Sequence, residues 1–305
     1  MMIFEEDQQL AEIFARLSQP GVFRPISSPT RLGVLREVKV VFFDVYGTLF
    51  LGTRHFSQSP REHEPLVALE RALEAVGLPP SDLGKLDWSV FCGLVADAQQ
   101  KRREEGVEYP EIDIVEVWKK YVGLLEEADI IRRVPCSRQD QSHFWHRLVV
   151  EFEARVNPVW PSPGVLDALS RLRSKGLRLG IISNAQFYVR LLFPAFLRSS
   201  LEELGFSPEL LFFSYEHGCA KPGTGLYERA RTKVATLGFD PSEVLHVGND
   251  VRHDMVPAHS VGFRTALLAI DEHNVSFLPE DSPDPIGPAD LVVRSFDELL
   301  RCLSA

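Results

Sequence analysis

Four short stretches of this chain carry polar side chains that can do chemistry directly after an apolar, strand-forming run. Val40-Val41-Phe42-Phe43 leads into Asp44, and Val45-Tyr46-Gly47-Thr48-Leu49 follows. Leu179-Gly180-Ile181-Ile182 ends in Ser183 and Asn184. An apolar run at 210–214 precedes Gly218-Cys219-Ala220-Lys221-Pro222. Val244-Leu245-His246-Val247-Gly248 leads into Asn249, Asp250 and, after Val251-Arg252-His253, Asp254. Taken singly, each polar group reads equally as a turn or a helix cap, which Asp, Ser, Asn and Gly favour. Taken in order, each after an apolar strand and before a helix, they point to one crevice, because the carboxyl ends of parallel strands converge.

Such a crevice would hold a carboxylate nucleophile, hydroxyl and amide donors, an ammonium and further acids. That inventory suits covalent catalysis by a carboxylate at a phosphoryl or alkyl centre. Asp44 is the expected nucleophile, and Lys221 would offset its charge and that of the substrate. Thr48 and Ser183 would hydrogen-bond the transferring oxygens, with Asn184 as an amide donor beside them. Asp44 and Asp250 could hold Mg²⁺, which prefers oxygen ligands and keeps several waters. Asp254 would orient Lys221 or a metal-bound water.

The elements that must position these groups are legible in the texture of the chain. Leu10, Ile13, Phe14 and Leu17 recur at helical spacing and predict an opening helix. Strand-like runs at 38–43, 177–182, 210–214, 243–247, 263–268 and 290–293 alternate with helical stretches at 164–175, 187–203, 225–237 and 296–303. Strand–helix alternation of this kind predicts an α/β fold with a mostly parallel sheet. Between Gly52 and Pro158 the strand texture stops, and helical patterns at 64–77, 81–105, 111–127 and 138–155 replace it. The expected organisation is a lead-in segment at 1–36, a core at 37–51 and 158–305, and an all-helical insert at 52–157. The Pro-rich run 158–164 is expected to act as a stiff hinge.

Composition narrows the partners. The 305 residues carry 33 basic and 43 acidic side chains, a net charge of −10, which disfavours nucleic acid. Lys101-Arg102-Arg103 is followed by Glu104-Glu105 and reads as a solvated helix face. Cys92, Cys136, Cys219 and Cys302 show no CxxC spacing and read as reduced thiols, most of them buried. The N-terminus lacks the pattern of a signal peptide, and no apolar run is long enough to span a membrane. The expectation is a cytoplasmic protein with a small anionic substrate, no nucleic-acid or membrane partner, and an oligomeric state that the residues do not specify.

With the four motifs in this order, the chain resembles the haloacid dehalogenase-like hydrolase superfamily over about 38–50 and 158–300. The resemblance implies a Rossmann-like core with a helical cap inserted after the first motif. It implies Asp44 as nucleophile, Thr48 and Ser183 as phosphate-site donors, Lys221 as charge anchor, and Asp250 and Asp254 as the acidic motif. In metal-using members, Mg²⁺ takes the nucleophile, the backbone carbonyl two residues on and an acid of the fourth motif, here Asp44, Tyr46 and Asp250. Two features depart from the phosphatases. Tyr46 stands where they usually carry a second acid, and Asp44-Val45-Tyr46-Gly47-Thr48 is similar to the first motif of the metal-free 2-haloacid dehalogenases. Asn249 stands where many phosphatases carry the first acid of the fourth motif, although Asp250 and Asp254 keep that motif acidic. The expected activity is a Mg²⁺-dependent phosphatase for a small phosphorylated metabolite. The alternatives are a 2-haloacid dehalogenase, with a carboxylate-holding Arg among Arg54, Arg71, Arg102 and Arg103, or a non-catalytic binding protein on the same scaffold. Arg54 and His55 are further candidates for the mouth of the site.

Overall fold

The computed structural model describes residues 5–27, 30–52, 64–132, 134, 142–279 and 282–303. Helix α1 (Glu5–Leu17) buries Leu10, Ile13 and Phe14, as its spacing predicts. Strand β1 (Val40–Phe43) follows, and a three-residue strand β2 (Phe50–Gly52) comes directly after the first motif. Helices α2 (Glu64–Ala75), α3 (Trp88–Glu104), α4 (Ile114–Glu127) and α5 (Ser142–Val156) come next. Asp87 and Asp113 cap α3 and α4 by accepting backbone N–H groups of the first turn.

Strand β3 (Val159–Pro161) then leads into helix α6 (Val165–Ser174), strand β4 (Arg178–Ser183) and the short helix α7 (Val189–Leu192). The remainder is β5 (Phe206–Phe213), α8 (Ser214–His217), α9 (Gly225–Thr236), β6 (Val244–Gly248), α10 (Val256–Ser260), β7 (Arg264–Leu268), β8 (Leu291–Val293) and α11 (Phe296–Cys302).

Six strands form one parallel sheet in the order β5-β4-β1-β6-β7-β8. Strand β1 is central. Val40 pairs with Arg178 of β4 on one side and Val244 of β6 on the other, so the ends of all three strands lie at one level. The chain leaves β1 toward β4 and β5, then returns across to β6, and this reversal opens a crevice at the carboxyl ends. All four side chains of β1 are fully buried. Val40 and Phe42 pack with Leu226, Tyr227 and Ala230 of α9, while Val41 and Phe43 join the larger core with α6 and α11. Burial on both faces is why this strand reads as a continuous apolar run.

Three readings need correction. Strands do occur beside the helical insert: β2 pairs antiparallel with β3, with Leu51 opposite Trp160, where a Pro-rich hinge is expected. Three-residue strands leave too short a pattern to show periodicity. The helix expected at 187–203 is α7 followed by a π-turn at 193–197, which ends at Arg198 in the left-handed region (φ 57°). Pro194 lies inside that turn and cannot donate to a regular helix ladder. Strand β5 begins at Phe206, earlier than the expected 210, and carries Pro208, which the edge position tolerates.

The lead-in segment is fastened along the sheet by isolated bridges from Pro25 to Asp271, Arg31 to Val292 and Leu35 to Leu303. Helix α1 packs against α5, where Arg16 meets Glu151 at 3.2 Å. Of the thiols, Cys302 is buried, Cys219 is half-buried and Cys92 is exposed, so the expected burial holds for one of these three. Cys136 lies outside the described residues. Lys101 and Arg103 are exposed at the end of α3. Among the described residues, no helix is long and apolar enough to cross a membrane.

Candidate active site

Asp44 follows the last residue of β1, and its N–H donates to Val247 O on β6 at 2.9 Å. Lys221 reaches the same point from the loop after α8. Its ammonium donates to Asp44 Oδ1 at 2.7 Å, Asp254 Oδ1 at 2.6 Å and the Ile182 carbonyl at 3.4 Å. Those three bonds use all the donors a lysine has. The result is one buried cation between two buried carboxylates.

Asp254 is held from every direction. Its Oδ2 accepts the N–H groups of Asn249 (3.2 Å) and Asp250 (3.1 Å), and its Oδ1 lies 3.2 Å from His246 Nε2 and accepts Tyr227 OH at 3.4 Å. The fold makes room for this at Gly248, where a side-chain methyl would collide with the Asp254 carboxylate. Burial pushes Asp254 up, but Lys221 and His246 outweigh it and hold the carboxyl well below the usual range. Burial would lower Lys221, yet the two carboxylates outweigh it and keep the ammonium above its ordinary value. Asp44 behaves oppositely. Burial, reinforced by the charge of Asp254, raises it above the ordinary aspartate value despite Lys221 and a hydrogen bond from Ser183.

The structure gathers the other expected residues with different duties. Ser183, the last residue of β4, is buried against Asp44. Asn184 clamps the lysine loop: its amide donates to Lys221 O at 2.9 Å, and its oxygen accepts Lys221 N–H at 2.7 Å. Thr48 is fully buried and donates to Asn249 Oδ1 at 3.2 Å, so its hydroxyl is directed at the fourth motif. Asn249 in turn donates to the Asn274 carbonyl, and its side chain lies over Gly47, which sits in the left-handed region (φ 80°). Asp250 caps the turn at 251–255, with its Oδ1 accepting His253 N–H at 2.8 Å and lying 3.1 Å from His253 Nδ1. Burial pushes Asp250 up, but these His253 contacts outweigh it and lower the carboxyl below its ordinary value.

Above these groups lies a cavity of about 180 Å³ lined by Asp44, Tyr46, Lys221, Asp250, His253 and Asp254, among others. Sequence reasoning missed His253, Asn157 and Asn274 in this lining, and His246 and Tyr227 beneath it. One signal was available: His246 is an imidazole inside an otherwise apolar strand, and such a group needs a buried partner. Asn274 is fixed by Asp271 at 2.9 Å and accepts the Gly52 N–H at 3.0 Å, so a distant loop ties the fourth motif to β2. Arg54 and His55 lie outside the described residues.

Mg²⁺ can be tested against this donor set. Among the described residues, no three acidic, His or Cys side chains converge as a metal cluster. The expected set uses two carboxylates, Asp44 and Asp250, and the Tyr46 carbonyl, and all three residues line the cavity. These are hard oxygen donors, and both His253 contacts fall on a single oxygen of Asp250. Such a set fits Mg²⁺ with waters completing its shell.

The family model for haloacid dehalogenase-like hydrolases matches residues 38–262, which spans the first through the fourth motif. The chain belongs to the haloacid dehalogenase-like hydrolases. A search of curated proteins found no match. Among solved structures, a 2-haloacid dehalogenase from Pseudomonas syringae pv. Tomato aligns at TM-score 0.52 and 19% identity, covering 87% of this chain and 97% of its own. A predicted phosphoglycolate phosphatase from Haemophilus somnus aligns at TM-score 0.46 and 17% identity, with coverage of 87% and 97%. CbbY from Rhodobacter sphaeroides, solved in complex with phosphate, aligns at TM-score 0.45 and 16% identity, with coverage of 86% and 96%. At these identities the likeness shows the fold alone. This haloacid dehalogenase-like hydrolase therefore has its family from the motifs, and its reaction must be argued from its own site.

Proposed function

We propose that this hydrolase is a Mg²⁺-dependent phosphatase with Asp44 as nucleophile, acting on a small phosphorylated substrate under a helical cap formed by 52–157. The observation that supports the reading best is a pair of carboxylates, Asp44 and Asp250, lining one cavity with the Lys221 ammonium. Lys221 is the one Lys or Arg among the described residues lining the Asp44 cavity and the chamber next to it. A 2-halocarboxylate needs a second cation for its carboxylate, and of the expected candidates Arg54 lies outside the described residues. Arg71 pairs with Glu74 and Arg102 with Glu105, and neither these nor Arg103 lines either space.

In this reading an Asp44 oxygen attacks phosphorus. Lys221, pinned by Asp254, balances the charge of the nucleophile and the phosphoryl oxygens. Ser183 steadies the carboxylate, and Asn184 keeps the lysine loop in register. Asp44, the Tyr46 carbonyl and Asp250 would hold Mg²⁺, which supplies charge neutralisation on the phosphoryl group when bound. Asp254, with its oxygens committed to Lys221, His246 and two N–H groups, acts as the anchor of Lys221.

The dehalogenase reading retains one supporting feature, the phenol of Tyr46 in place of a carboxylic acid, since a halide leaves without a proton. Phosphate release with and without EDTA, against Asp44→Asn, separates the two. The expected result is phosphate release that needs Mg²⁺ and Asp44. Chelator-insensitive halide release from 2-chloropropionate would replace this reading with the dehalogenase.

A further inference from the structure

A second space opens from the first. Tyr46, Asn157 and Asn184 border both the Asp44 cavity and a chamber of about 360 Å³ between the helices 88–156 and the core. Trp88, Phe91, Trp118, Phe152 and Tyr188 line it. Trp88 is half-buried and stacked on Phe91 at 4.4 Å and on Phe152 at 4.7 Å, so the wall of the chamber is a packed aromatic cluster. Trp118 closes the cluster from behind, 5.0 Å from Phe152.

The charge of the chamber is one-sided. Among the described residues it has no Lys or Arg, while Glu111 and Glu153 lie in its wall. Glu111 is committed to Ser214 Oγ (2.6 Å), Gln186 (2.8 Å) and the Ile112 N–H (3.0 Å), and Glu153 accepts Asn157 at 2.9 Å. A second phosphate or a carboxylate would meet no cation there. An uncharged aromatic ring would meet stacked rings.

The passage between the two spaces carries a further restriction. Its shared residues offer a phenol and two amides, with no carboxylic acid or imidazole. Glu153 is held on Asn157 and His253 on Asp250. Among the described residues, none of the side chains shared by the two spaces is therefore an acid placed for a departing alkoxide, whereas a phenoxide, whose conjugate acid has pKa near 10, departs as the anion.

Building on the phosphatase reading, we propose that the substrate is an aryl phosphate monoester whose ring occupies this chamber. An Asp44 oxygen forms a bond to phosphorus as the phosphorus–oxygen bond to the ring breaks, and the electron pair leaves with the phenoxide, which takes a proton from solvent. Water then attacks phosphorus, the bond to Asp44 breaks, and inorganic phosphate leaves with the protons of that water. Asp44 is regenerated as a carboxylate.

The test compares phenyl phosphate with ethyl phosphate in turnover, and phenylphosphonate with methylphosphonate as inhibitors of the intact enzyme with Mg²⁺ present. The expected result is an aryl preference of roughly 10²-fold or more in kcat/KM and roughly tenfold or more in inhibition. Trp88→Ala is expected to reduce both ratios, and the inhibition ratio of the unmutated enzyme stands even if that variant fails to fold. Equal inhibition by the two phosphonates, or ethyl phosphate turned over within tenfold of phenyl phosphate, overturns the aryl assignment and leaves the phosphatase reading standing. No phosphate release from either ester, with or without Mg²⁺, overturns both.

Discussion

The buried charge triad makes an unequal prediction for two substitutions that both remove a charge. Lys221 lies 2.7 Å from Asp44 and 2.6 Å from Asp254, and all three groups are almost fully buried. Asp44→Asn removes the carboxylate whose burial is least compensated and leaves a balanced Lys221–Asp254 pair, with the new amide oxygen still available to the ammonium. Its expected stability is within about 1 kcal/mol of the parent, or higher. Lys221→Met leaves two carboxylates facing each other with no bridging cation, a loss of about 3–5 kcal/mol. At about 2.1 cal/mol/K per residue over 305 residues, that is a fall in Tm of roughly 5–8 °C. Differential scanning calorimetry at pH 7 on both variants reads this directly. Equal falls in Tm, or a larger fall for Asp44→Asn, would refute the reasoning, because Asp44 would then be a stabilising partner of Lys221.

Three other outcomes follow from the same geometry. Asn184→Ala removes both clamps on the Lys221 backbone, with an expected cost of roughly 1–3 kcal/mol in urea unfolding and a kcat that falls more than KM rises. Gly47→Ala forces an L-residue into the left-handed region, at about 1–2 kcal/mol, and drives a methyl into Asn249, so the midpoint of urea unfolding should drop. Because burial raises Asp44, carbon-13 NMR of its carboxyl in the presence of EDTA should show it titrating above the ordinary aspartate value of 3.8; titration below that value would contradict the burial argument.

Much of the sheet was legible because β1, β4 and β6 are buried on both faces and so read as unbroken apolar runs. The same runs mark where they end, which is why Asp44 and Ser183 stand out; Lys221 and Asp254 come from the segments that follow β5 and β6, and the four do meet. The duties of Thr48 and Asn184 were not legible. Whether a hydroxyl or an amide faces a substrate, Asn249 or the Lys221 backbone depends on packing between segments far apart in the chain. Asn274 entered the site unannounced, since its position depends on Asp271 and on the N–H of Gly52 in the β2–β3 pair. The aromatic chamber was only half visible. Helical spacing identified Trp118 as a packing residue, which it is, but could not show that Trp88 and Phe152 line a chamber that shares Tyr46, Asn157 and Asn184 with the Asp44 cavity.

The central claim is that Asp44 takes the phosphoryl group. Acid quenching during turnover of phenyl phosphate with Mg²⁺, followed by peptide mass mapping, should find one added phosphoryl group on the peptide containing Asp44 and none in Asp44→Asn. Steady phosphate release with no phosphorylated Asp44 peptide, and with Asp44→Asn still active, would contradict the account.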